Sequence, residues 1–439
     1  MNTILSLALA LTFGSPSAPP QSGKPNIVVV VADDLGYGDA SFSAAGGIST
    51  PNLEELRSRS VLFTDGYSCG TVCAPSRAGL MTGRYPQRFG FERNDRDQTK
   101  EGLDAYGLPV TQQTIAERIK AAVPGYRTGI VGKWHLGYRR ELWPTNRGFD
   151  YFYGLLEGGT PYWPTIDRFA TIYENTVPQQ TSGYLTYNFT NKAASFVRDS
   201  LDLKQPFFLY LAYTAPHSPY QAPLSECEKF PELEGDRKSY AAMINTMDEG
   251  VGKLVTVLRN RGELDNTLFI FVGDNGAPLD GPGSNAPLRG GKAQMFEGGI
   301  RVPFMMSWPE KLPQGTTYSN MVSILDIAPT VAAAAGIYGL SEEMDGRNLV
   351  PMLRVVDPQP YIPHQELCWR MGTQNAIRWQ NWKLIRYDGT STKPGYEGLF
   401  DLSTDIQESA NMHLLRPNIA QKLRDKLALW ESQMIEPAW

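Results

Sequence analysis

Two places in this chain put oxygen-bearing side chains directly after runs of buried-type residues. Asn26 to Ala32 (NIVVVVA) leads into Asp33-Asp34, and Thr267 to Val272 (TLFIFV) leads into Gly273-Asp274-Asn275-Gly276. Carboxylate and amide oxygens suit a hard cation such as calcium or magnesium. Three carboxylates converging without a cation would repel one another at high cost, although each acid taken singly is equally a solvated turn at a strand end. A further segment, Cys73-Ala74-Pro75-Ser76-Arg77, puts a cysteine where a helix would begin, because Ala74 and Pro75 suit a first turn. Backbone amides there favour anions, and Arg77 lies one turn on, facing the same way. On that segment alone, a structural cysteine ahead of a helix is the better reading.

The elements that must position these residues are those of an α/β protein. The runs 26–32 and 267–272 have the β-branched and aromatic character of strands buried on both faces of a parallel sheet. Ligands in such sheets sit at the carboxyl ends of the strands, where the acids fall. Thr128 to Val131, Phe207 to Ala212 and Val302 to Trp308 fit the same sheet, with helical patterns at Thr114 to Ala122 and Tyr240 to Arg261. Pro-rich Asp357 to Pro363 reads as a linker. It is followed by strand-like pieces at Asn375 to Gln380, Trp382 to Tyr387 and Gly398 to Asp401, and by an amphipathic helix at Ile419 to Trp430. The expected organisation is a large, mixed, mainly parallel sheet flanked by helices over residues 25–356. A small α+β domain with an antiparallel sheet would occupy residues 357–439.

Length and composition agree: 439 residues are too many for one small core, and 41% hydrophobic with 20% charged residues is ordinary for a soluble enzyme. A formal charge of -5 argues against nucleic acid as the main partner. Ile4 to Phe13 is apolar, too short to span a bilayer, and is followed by small residues and prolines, so residues 1–20 read as a signal peptide and the protein as secreted or periplasmic. No later segment reads as a membrane span. Cys69, Cys73, Cys227 and Cys368 make neither a disulfide framework nor a zinc site.

The run C-x-P-S-R at Cys73, with Leu80-Met81-Thr82-Gly83-Arg84 downstream, closely resembles the signature of the sulfatase family. The likeness extends through Asp33-Asp34-x-Gly36, Gly132-Lys133-Trp134-His135, Ala215-Pro216-His217, Gly273-Asp274-Asn275-Gly276, Gly291-Lys292, Glu297-Gly298-Gly299 and Gly398-Leu399-Phe400-Asp401-Leu402. It implies an alkaline phosphatase-like fold and a type I sulfatase, in which Cys73 is oxidised by a formylglycine-generating maturation enzyme. Implied metal ligands are Asp33, Asp34, Asp274, Asn275 and the modified Cys73. Calcium is the first choice, since the family usually carries it, and magnesium the second. Implied catalytic residues are Cys73, Arg77, Lys133, His135, His217 and Lys292. In the implied mechanism one hydroxyl of the formylglycine hydrate attacks sulfur while Arg77, Lys133, Lys292 and the metal neutralise charge on the transferring group. His217, helped by Lys292, protonates the leaving alcohol. His135 removes the proton from the remaining hydroxyl, expelling sulfate and regenerating the aldehyde.

Tyr151 to Arg168 (YFYGLLEGGTPYWPTIDR) is rich in Tyr, Trp and Gly, so a sulfated carbohydrate is the leading substrate, contacted by Tyr162, Trp163, Asp167 and Arg168. An ordinary packed aromatic loop is the equal alternative for that segment. Two other functions fit this family's fold: a phosphonate monoester hydrolase or phosphodiesterase, and a catalytically dead glycan-binding protein.

Overall fold

The structure is a computed structural model that describes residues 23–43, 46–94, 106–164, 171–354, 362–389 and 394–439. The expected signal peptide lies outside these residues. So does most of the expected linker.

At the centre of the molecule are β1 (Asn26–Ala32), β2 (Arg127–Lys133), β3 (Tyr151–Leu155), β4 (Phe207–Ala212), β5 (Thr267–Gly273) and β6 (Phe304–Ser307), in spatial order β6-β5-β1-β4-β2-β3. The first five are parallel, and β6 runs antiparallel to β5. Two short strands lie beyond β6 and two beyond β3, making a sheet of 10 strands. All residues of β1, β4 and β5 are buried, as continuous apolar runs require.

Successive side chains of a strand point to opposite faces, and β1 shows the consequence. Ile27, Val29 and Val31 join one apolar layer with Ala74 and Ala78 of α1 (Cys73–Thr82), while Val28 and Val30 join the other. That second layer carries α2 (Leu185–Asp202) and α3 (Gly235–Asn260). The sheet is thus covered on both sides. Among the described residues no helix is long and apolar enough to cross a membrane.

The C-terminal part is an antiparallel sheet of β7 (Glu366–Met371), β8 (Gln374–Trp379), β9 (Trp382–Tyr387) and β10 (Tyr396–Asp401), backed by the helix Pro417–Glu431. β7 was not expected from the sequence. The sheet docks tightly on the larger part: the Trp369 indole N–H donates to Ser68 O at 2.7 Å. Buried Lys383 lies 2.8 Å from both Glu297 and Glu408.

Candidate active site

β1 and β5 are hydrogen-bonded neighbours with Ala32 paired to Gly273, so the two acid-bearing pairs emerge side by side. Asp274 N–H donates to Ala32 O at 3.1 Å, and Asp34 N–H donates to Asp274 Oδ1 at 3.2 Å. Asp34 stands at φ 61°, in the left-handed region that Asp tolerates better than most residues, which turns it away from the strand. Beyond β4 in the sheet, β2 ends at Lys133, two residues further than its apolar run suggests, and Lys133 Nζ donates to Asp33 Oδ2 at 2.6 Å.

Facing these strand ends is the start of α1. Cys73 Sγ lies 3.4 Å from Asp33 Oδ1 and 3.8 Å from Asp34 Oδ1. One turn on, Arg77 is fully buried. Its Nε and Nη2 donate to Asp274 Oδ2 at 3.0 and 2.8 Å, and Nη1 donates to Lys133 O at 3.2 Å. Lys292 Nζ donates to Asp34 Oδ2 at 2.8 Å, and His217 Nε2 lies 3.6 Å from the same oxygen. His217 Nδ1 faces Ser218 O at 2.6 Å; a carbonyl only accepts, so Nδ1 carries the proton and Nε2 is left for the site.

Three carboxylates therefore meet three cations in a largely buried cluster. Burial drives Asp33 upward, but Lys133, His217 and Arg77 more than offset it and hold Asp33 far below the ordinary carboxylate range. Burial and the charge of Asp33 push Asp274 up to about 7, against Arg77 and Lys133. Burial lowers His217, opposed by Asp33 and Asp34. The Cys73 thiol is pushed up to about 12 by burial despite the nearby lysines, so it stays protonated at neutral pH and is a poor nucleophile.

The residues fit a hard cation. Ligand atoms of Asp33, Asp34, Cys73 and His217 all lie within 4.8 Å of one another. Asn275 Oδ1 is buried with no hydrogen-bond partner, while its Nδ2 donates to Asp34 Oδ1 at 2.6 Å. An orphaned amide oxygen beside two carboxylates is a donor set that a divalent cation completes.

His135, at φ 57°, follows β2 and is buried beneath the Gly158-Gly159 segment. The expected substrate residues fare differently. Tyr162 is fully buried, so its ring is no platform: its hydroxyl donates to His217 O at 3.0 Å and its ring stacks on Tyr184, making it a support for the histidine loop. Trp163 is 46% exposed against Tyr184. Asp167 and Arg168 lie outside the described residues.

Several residues escaped sequence reasoning. Asn94 Oδ1 accepts from Ala74 N–H at 3.0 Å, tying down the start of α1. The Tyr240 hydroxyl lies 3.2 Å from both Gly36 N and Asp34 O and 3.0 Å from Asp39 Oδ2, fixing the loop after β1. Their separations from the partners in sequence left no local signal.

Fold and site together define an ester hydrolase of the alkaline phosphatase-like type, with carboxylates and cations gathered at the strand ends. Residues 25–337 match the family model described as Sulfatase, and residues 291–433 match that of the N-sulphoglucosamine sulphohydrolase C-terminal region. The chain is 32% identical to the uncharacterized sulfatase YdeN of Escherichia coli K12 over 463 residues, 91% of this chain and 80% of that one. It is 33% identical to the N-acetylgalactosamine-6-sulfatase of Rattus norvegicus over 440 residues, 92% of this chain and 80% of the relative. The crystal structure of Ps i-CgsB superposes with a TM-score of 0.87 at 34% identity, covering 95% of each chain, and the same protein has been solved in complex with k-i-k-neocarrahexaose. The chain belongs to the sulfatase family and is a sulfuric ester hydrolase.

Proposed function

We propose that the enzyme removes sulfate from a sulfated carbohydrate, with Cys73 converted to formylglycine and a calcium ion held by Asp33, Asp34, Asp274 and Asn275. The observation that carries this reading is the setting of Cys73: its side chain lies between the carboxylates of Asp33 and Asp34 at a helix start, yet burial keeps it protonated as a thiol. Formylglycine as its hydrate would supply the attacking oxygen that the thiol does not, and a cation held by Asp33, Asp34, Asp274 and Asn275 would lower the charge opposing attack.

The remaining roles fall to the chain's own groups. Arg77, anchored on Asp274, and Lys133, anchored on Asp33, present fixed positive charge to the sulfuryl group without reorganising. Lys292 does the same from the Asp34 side. His217, its Nδ1–H held by Ser218 O, gives the leaving alcohol a proton from Nε2 as the doubly protonated imidazolium, the form that Asp33 and Asp34 favour, and His135 accepts a proton on the opposite side of the cycle. Carbohydrate as the substrate is supported by the oligosaccharide bound to Ps i-CgsB, by the amino sugar named for the rat relative, and by the exposed Trp163 close in sequence to the glycines over both histidines. Export to the periplasm or beyond suits such a substrate.

The test uses protein from its native host. Peptide mass spectrometry of the Cys73 peptide should show thiol-to-aldehyde conversion. The same sample should release sulfate from carrageenan oligosaccharides or N-acetylgalactosamine 6-sulfate and lose that activity on chelation. Faster turnover of phosphodiesters than of any sulfate ester would overturn the reading.

A further inference from the structure

At the opposite end of the sheet from the catalytic residues lies a cavity of about 640 Å³ that the chemistry described above does not use. Pro25 and Asn266, which line it, sit at the starts of β1 and β5, whereas Asp33 and Asp274 sit at their ends. Seven residues of strand place the two sites roughly 20 Å apart.

Its lining has the composition of a saccharide site. Tyr338 supplies aromatic surface, Asn266 and Asn348 supply amides, and Lys311 and Arg354 supply two cations against one acid, Glu310. Trp308 is only 6% exposed, and its indole Nε1–H has no acceptor. Closed off from solvent, that indole belongs to the floor of the cavity, and exposed Tyr338 is the aromatic face that a ligand meets. The cavity continues into a neighbouring pocket of about 140 Å³ that shares Ala333, Tyr338 and Asn348 and adds Arg347, so the depression is elongated. Tyr338, 76% exposed, stands at the junction. A cationic, aromatic and amide-lined groove on a protein of net charge -5 is a local feature that selects an anionic chain molecule.

We infer that this groove is a second, non-catalytic binding site for sulfated polysaccharide, which holds one stretch of a polymer while another stretch reaches the active site. The inference rests on the reading of the substrate as a sulfated carbohydrate. Polymer held at both places gains effective concentration at the catalytic end, and a short oligosaccharide gains none.

The experiment compares the parent with the double variant Lys311→Gln/Arg354→Gln, both positions being exposed, and with Tyr338→Ala. Each is run on native gels containing carrageenan, chondroitin sulfate, heparin or fucoidan. Each is also assayed on the polymer that retards the parent, on a hexasaccharide from that polymer, and on 4-nitrophenyl sulfate. In the double variant, retardation and kcat/KM on the polymer should fall about tenfold, with hexasaccharide and aryl sulfate turnover unchanged. Tyr338→Ala should weaken retardation without moving aryl sulfate turnover. Parent-like retardation of the double variant, an equal loss on hexasaccharide and polymer, or a parent that none of the polysaccharides retards would overturn the inference. Failure to release sulfate from any glycan would instead strike at the substrate reading, and retardation is scored separately from it.

Discussion

Gly158→Ala should disable the enzyme while leaving it folded. A Cβ built on Gly158 would lie 2.7 Å from both Cε1 and Nε2 of His135. Carbon contacts settle at about 3.5–4.0 Å, so the imidazole must retreat by roughly 1 Å. Displacement on that scale at a reacting group costs about 10²-fold in rate. The backbone does not resist the change, because Gly158 is not among the glycines with positive φ, and a loop alanine costs nothing in the unfolded state. Gly159→Ala is the internal control: its Cβ would sit 3.3 Å from His217 Cε1, a squeeze of a few tenths of an ångström, and should stay within about fivefold of the parent. The assay is steady-state and single-turnover hydrolysis of an aryl sulfate, with the thermal midpoint measured alongside. Since His135 is assigned to the later proton transfer, alcohol release in the first turnover should stay rapid while sulfate release slows. A Gly158→Ala enzyme with parent-like kcat would refute the placement of His135 in the cycle. Equal slowing of both steps would refute its assignment to the second.

Two further outcomes follow from buried polar groups. Tyr240→Phe removes the hydroxyl shared among Gly36 N, Asp34 O and Asp39 Oδ2, and should cost about 1–3 kcal/mol in denaturant unfolding, with part of the loss recovered by added calcium; an unchanged midpoint would show that the loop after β1 holds itself. Glu408 and Glu297 share Lys383, and burial together with the charge of Glu297 pushes Glu408 up to about 7, against Lys383. Folded Glu408 therefore keeps a proton that the unfolded chain has lost, so its contribution to stability falls as pH rises from about 5 through about 7. Glu297, brought down to about 2 by Lys383 and Arg301 despite burial, behaves oppositely and loses its contribution only as pH falls through that value. Glu408→Gln, which mimics the protonated acid, should match the parent near pH 5 and become the more stable of the two toward pH 8 in melting curves; a gap constant with pH would remove Glu408 from the account.

What the sequence disclosed about this site depends on how locally each residue is determined. Asn26–Ala32 forms a strand with the expected bounds because a β-branched run buried on both faces is a local signal, and Asp33-Asp34 follow from it as the strand's end. The pairing of Ala32 with Gly273 then brings Asp274 beside them, and one-dimensional pattern was enough to anticipate it. β7 went unseen because Glu366–Met371 alternates only weakly and has Lys426 and Glu92 as distant partners for its charges. Tyr162 takes the packed alternative of its two readings for a related reason: an aromatic side chain in a Gly-rich loop can face solvent or core, and only the His217 carbonyl and the ring of Tyr184 decide which. The clustered acids and Lys133 sit where strands stop and Cys73 and Arg77 at the start of a helix, whereas the groups that hold the site, Asn94, Tyr240 and Gly158, arrive from other parts of the chain. Motif reading therefore names side chains that the fold gathers in one place and is blind to the constraints that set their geometry, and those constraints are where the substitutions above act.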